Sequence, residues 1–133
     1  MSKAALLLAI LPGLAAASPY DGTYRQSANA NCGLVGVDGG AIQIDDGIFH
    51  GVELQCRMTR PVSVVDMHAT LYTMVCTGED ESWTERAMVM RAAGEDDNII
   101  MIWNGYAFQY DNCAKPETPL TDDQPEGEQT VSD

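Results

Sequence analysis

The chain is 133 residues long and carries 7 basic against 20 acidic side chains, a formal net charge of −13. A single domain's length of chain with that balance is repelled by nucleic acid and by anionic lipid, so neither is expected as a partner, whereas a cationic protein would be attracted. Acidity of this degree also serves to keep a secreted protein soluble, with no partner required.

Residues 1–17 read as a signal peptide. One cation, Lys3, precedes an apolar run from Ala4 to Ala17, and Ala15-Ala16-Ala17 supplies the small-residue step for cleavage before Ser18. The run is 14 residues long and is broken at Pro12-Gly13, while a membrane-spanning helix needs about 20. No cysteine stands at the cleavage point to take a lipid. The mature chain is therefore expected to be periplasmic or secreted, with no membrane attachment after cleavage.

From Ser18 onward the elements read as strands, short runs of Val, Ile, Thr, Tyr and Met separated by turn residues. They fall near 22–27, 41–45, 48–56, 67–77, 82–92, 98–103 and 106–112, with turns at Asp46-Gly47, 78–82, 93–97 and Asn104-Gly105. No stretch keeps a 3.6-residue apolar period over three turns, and the valines and threonines between Ser63 and Val75 disfavour a helix there. The fold class is all-β: about seven antiparallel strands in a meander, curled into a small barrel or a two-layer sandwich. Beyond Cys113 the 20 residues 114–133 hold three prolines and six acids and no aromatic, a composition expected of an acidic disordered tail.

In the second hairpin, Ile42, Ile44 and Phe49 share one face and Ile48, Val52, Leu54 and Cys56 the other. A bulge near His50-Gly51 would reconcile the two phases. The last hairpin is clearer. Asn104-Gly105 suits a two-residue type I′ turn, which sets Trp103 opposite Tyr106, Met101 opposite Phe108 and Ile99 opposite Tyr110, all on one face. That face is expected to form a core wall. Small barrels can also hold a ligand on such a wall, which makes Trp103, Tyr106, Phe108 and Tyr110 the candidate ligand-binding residues.

Four cysteines in an exported chain imply two disulfides. Their gaps of 24, 20 and 37 residues contain no C-x-x-C step, so bridges are expected rather than a zinc ribbon. Of the three possible connectivities, Cys32–Cys113 with Cys56–Cys76 ties the ends of the domain and closes a shorter loop inside it. That pairing requires the segment RMTRPVSVVD to extend or bend its strand.

Residues for catalysis are sparse. His50 and His68 belong to no catalytic motif, and Ser18, Ser27, Ser63 and Ser82 lack a G-x-S-x-G context. The acids at 45–46, 79–81 and 95–97 sit in turns without calcium-loop spacing and read as solvated hairpin tips. General acid catalysis would need a partly buried carboxyl, for which Glu53 and Glu85 on strands are the candidates. Methionine offers a metal reading: Met58, Met67, Met74, Met88, Met90 and Met101 could hold Cu(I) with His68, although methionine also fills irregular gaps in small cores. Neither a cofactor nor a resident metal is expected.

The stretch DGTYRQS resembles the G-x-W/Y opening strand of lipocalin-type barrels. The run CTGEDESWTER, with the Y-x-x-C ending at Tyr110–Cys113, is similar to small uncharacterised exported proteins of Gram-negative bacteria. Small exported barrels also include inhibitors of lysozyme and of secreted proteases, but the S-G-x-x-Y signature of the common lysozyme-inhibitor family is absent. The sequence thus leads to a secreted, disulfide-bonded, non-catalytic β-domain that binds an unknown ligand. The alternatives are an inhibitor of a cationic exported enzyme and a small-molecule or Cu(I) carrier. A carrier should be hollow and lined by aromatics or methionine; an inhibitor should be filled and carry an exposed recognition loop.

Overall fold

A computed structural model describes residues 18–94 and 96–114. The expected signal peptide and nearly all of the expected tail lie outside the described residues. Nine strands are present: β1 (Gly22–Arg25), β2 (Asn31–Val35), β3 (Gly40–Asp45), β4 (Ile48–Gly51), β5 (Leu54–Ser63), β6 (Ala69–Gly78), β7 (Glu81–Arg91), β8 (Ile99–Trp103) and β9 (Tyr106–Asn112). Neighbours from β3 to β9 pair antiparallel in chain order, and β1 pairs antiparallel with both β9 and β3. That double pairing closes an eight-stranded antiparallel barrel, and β2 is an extra strand laid parallel to the start of β3.

The count of seven is corrected to nine for two reasons. The run 48–56 is not one strand with a bulge. It turns back at Val52-Glu53, where Glu53 takes a φ of 56° and Gly51 pairs with Leu54. This reversal brings Cys56 and Met58 to the same interior as Ile42, Ile44 and Phe49, which resolves the conflicting phases. The other addition, β2, runs through glycine-rich sequence. Its backbone lies so near β3 that a Cβ on Gly40 would come within 2.4 Å of the Leu34 carbonyl oxygen.

Both disulfides form in the expected pairing. Cys56 and Cys76 are direct partners across β5 and β6, with Cα atoms 4.0 Å apart. The segment RMTRPVSVVD does extend its strand, and the register shifts between Thr59 and Val62. Arg60 sits there at a φ of 50°, and Pro61 next to it falls where a missing N–H is tolerated. Cys32–Cys113 ties β2 to the residue that follows β9. Two closed disulfides place the chain in an oxidising, non-cytoplasmic compartment.

One end of the barrel is packed solid. Tyr24, Ile44, Met74, Val89, Ile99 and Met101 are almost entirely buried. The segment preceding β1 plugs this end: the Tyr20 ring meets the edge of Tyr72 at 6.5 Å, and its hydroxyl lies 3.0 Å from Thr70 Oγ1. Tyr24 Oη donates to the Tyr20 carbonyl at 2.6 Å. The Arg91 guanidinium covers the Tyr20 ring at 5.5 Å and donates to the carbonyls of Pro19 and Asp97. Burial pushes the phenols of Tyr24 and Tyr72 above their ordinary pKa.

Candidate functional site

The opposite end is hollow. A cavity of about 400 Å³ opens there, within the range of about 300–1,000 Å³ usual for small-molecule sites. Its wall carries six aromatic rings, Phe49, Trp83, Trp103, Tyr106, Phe108 and Tyr110, together with the Cys56–Cys76 bridge. Two glycines stand at its rim. Side chains alternate along a strand, so Gly40 shares the inner face of β3 with Ile42, and Gly51 that of β4 with Phe49. Both glycines line the cavity. At Gly51 even a Cβ would meet the Phe49 ring at 2.8 Å and Leu54 at 3.0 Å. At Gly40 a Cβ would run into the β2 backbone, 2.4 Å from the Leu34 carbonyl oxygen, so both glycines mark close approaches at the rim and are already packed against.

The last hairpin has the expected register: Ile99 opposite Tyr110, Met101 opposite Phe108, Trp103 opposite Tyr106. Its turn differs from expectation. Only Gly105 has positive φ, at 91°, so the turn is not of type I′, which needs positive φ at both central residues. The hairpin's apolar face divides along its length. Ile99, Met101 and Tyr110 are buried, Trp103 and Phe108 are half-buried, and Tyr106 is 69% exposed. The lower part is core wall, as expected of the whole face, and the upper part lines the cavity together with Tyr110. Phe108 stacks on Tyr106 at 6.4 Å and tilts against Tyr110 at 6.1 Å, while Trp103 meets Phe49 at 5.6 Å. Burial alone raises the Tyr110 phenol to about 12.

Much of the wall comes from outside that hairpin, and Phe49, Leu54, Trp83 and Glu85 in it were not anticipated as ligand residues. The signal for two of them was present as a period. Trp83, Glu85, Ala87 and Val89 occupy alternate positions of β7, and Ala87 and Val89 are buried, so Trp83 and Glu85 share the inward face. Trp83 Nε1 donates to Glu85 Oε2, which holds the carboxylate in the mouth. Glu85 is the one charged side chain among the described residues lining the cavity.

Beside the mouth runs an open groove lined in part by His50, Glu53, Glu79, Asp80 and Glu81. It shares Gly51 and Leu54 with the cavity. Glu53, read from the sequence as a strand acid, lies in the β4–β5 turn and is exposed. Glu79 and Asp80 form the β6–β7 turn, at φ of 37° and 67°, and are solvated as expected of hairpin tips. His68 lies outside this groove, exposed in the connection from β5 to β6.

The methionines do not converge. Met58, Met74 and Met101 are buried in the core, Met67 is exposed, and Met88 and Met90 are half-buried on the outward face of β7. Among the described residues no group of three or more His, Cys, Asp or Glu is arranged to hold a metal ion. Comparison with protein-family models, curated proteins and solved structures gives no match.

Proposed function

We propose that this chain is an exported, non-catalytic binding domain that takes a small, largely apolar ligand into the open end of its barrel. The observation that carries this reading is the half-filled interior. A barrel of this size can pack its whole interior with side chains, yet here six aromatic rings surround a space of about 400 Å³ at one end. Trp103, Tyr106, Phe108 and Tyr110 are its ligand-facing residues. Export rests on the leader sequence and on the two disulfides; intact mass should show a chain that begins at Ser18.

Both tryptophans of the chain, Trp83 and Trp103, line the cavity, so intrinsic fluorescence reports on this site directly. Titration with small aromatic probes, neutral and charged, should give saturable quenching for at least one of them. Phe108→Ala, which removes one ring of the wall, should weaken it. If every probe leaves the tryptophans unchanged, the reading fails.

One observation favours a second reading. The acidic groove with Glu53, Glu79, Asp80 and Glu81 on an exposed rim suits a cationic exported enzyme, which the chain would inhibit. Inhibition of a basic hydrolase of the lysozyme type that persists in moderate salt would support it. Association without inhibition, lost as salt rises, would be attraction of opposite charges alone.

A further inference from the structure

We infer that the cavity is built for a small organic cation, an ammonium group carried on an apolar or aromatic body, with Glu85 as its counter-ion. This inference rests on reading the mouth as a small-molecule site and specifies what that site selects.

The starting point is the inner face of β7. Alternate residues Trp83, Glu85, Ala87 and Val89 face the interior, and across the strand pair they meet Cys76, Met74, Tyr72 and Thr70. Cys76, Met74 and Tyr72 are buried, so Glu85 sits at the boundary between the packed core and the hollow end. A half-buried carboxylate on an otherwise apolar wall attracts positive charge more strongly than it would in bulk water. Trp83 supplies a hydrogen bond but no charge. Among the described residues, those lining the cavity include no arginine, lysine or histidine. A cation entering from the mouth would supply what the wall lacks.

The rest of the wall selects for the same sign. An aromatic face presents the negative side of the ring quadrupole, which attracts a cation and repels an anion. Six rings line this cavity with one carboxylate among them, the combination that recognises alkylated ammonium groups. A metal ion fits poorly, because hard divalent cations take about six oxygen ligands and this wall carries a single acid. The acids of the adjoining groove act before binding, since a rim of one sign raises the local concentration of the opposite charge.

The test compares benzyltrimethylammonium with its neutral carbon isostere, neopentylbenzene, on the oxidised full-length mature chain, read by tryptophan quenching. The two probes share shape and differ in charge. The cation should bind at least about tenfold more tightly, and Glu85→Gln should remove most of that preference while leaving neopentylbenzene unchanged. A circular dichroism spectrum and a thermal melt establish that the variant is folded. If Glu85→Gln does not fold, the preference measured on the unmodified chain still decides the sign of the ligand. Equal affinity for the two probes, or tighter binding of the neutral one, overturns the inference and leaves the small-molecule reading standing. A cation preference that survives intact in folded Glu85→Gln overturns the assignment of Glu85. If neither probe binds, the inference falls, and if the wider probe panel also fails, the underlying reading falls with it.

Discussion

The division of the barrel into a filled and a hollow end can be measured by truncating one side chain in each. Met101 and Phe108 are opposite one another across β8 and β9 and share an inner face. Met101 is fully buried, while Phe108 is half-buried beside the cavity. Met101→Ala therefore loses its transfer free energy and leaves an enclosed void, which together destabilise by about 2–5 kcal/mol. For a ring enclosed on all sides, Phe→Ala would destabilise by about 3–5 kcal/mol. Phe108 keeps only part of that burial, and its removal widens a space already open to water, so about 1–2 kcal/mol is expected. Each kcal/mol moves Tm by roughly 4–8 °C in a domain of this size. Thermal melts should thus place Met101→Ala about 10 °C or more below the unmodified chain and Phe108→Ala about 5–10 °C below it. Tyr106→Ala, an exposed position, should stay within about 0.5 kcal/mol. If Phe108→Ala loses as much as Met101→Ala, the ring is enclosed, the mouth is filled, and the proposed site is lost.

Removing the Cys32–Cys113 bridge, which spans 81 residues, should destabilise by about 4.5 kcal/mol and removing Cys56–Cys76, which spans 20, by about 3 kcal/mol, as read from denaturant midpoints of paired Cys→Ala variants. Tyr110 should ionise near 12 in the folded chain rather than near 10; its raised pKa gives stability that is complete below pH 10 and is lost as pH climbs toward 12, visible as delayed phenolate absorbance. Burial, with Asp45 and Asp46 nearby, raises the Asp21 carboxyl above 3.8, so its charge opposes folding at neutral pH and stability should improve as pH falls toward that value. Asp21→Asn should accordingly raise Tm at pH 7, with the gain disappearing near pH 3.8.

The barrel was legible wherever a strand's period and its turn chemistry agreed. Ile99 to Tyr110 shows this best, because an Asn-Gly pair between two apolar runs of matching phase admits one register. The expected cysteine pairing ties the ends of the domain and closes a shorter loop inside it, and the strand extension past Arg57 that it requires is present. Strand β2 was missed because its five residues, with Gly33 at their centre and Gly36 just beyond, carry no period. The turn at Val52-Glu53 was missed because neither residue is a usual turn former, and a positive φ at Glu53 is fixed by the strands on either side rather than by local preference. The candidate site was half legible. Its aromatic hairpin stood out in the sequence, but Phe49 and Trp83, far apart in the chain, gave no sign that they share an end with it. Only closure of the barrel brings these rings around one cavity.

That closure has a consequence in time. β1 is the first strand of the barrel to emerge from synthesis or translocation, and its partners include β9, the last. Contacts between the two ends form slowly, because the intervening chain must be ordered before they are rewarded. The first strand stays half-paired until residue 112 is present, and Cys32 cannot make its native bond until Cys113 arrives. Native closure therefore comes last, and the Cys32–Cys113 bond acts as a latch on the finished barrel.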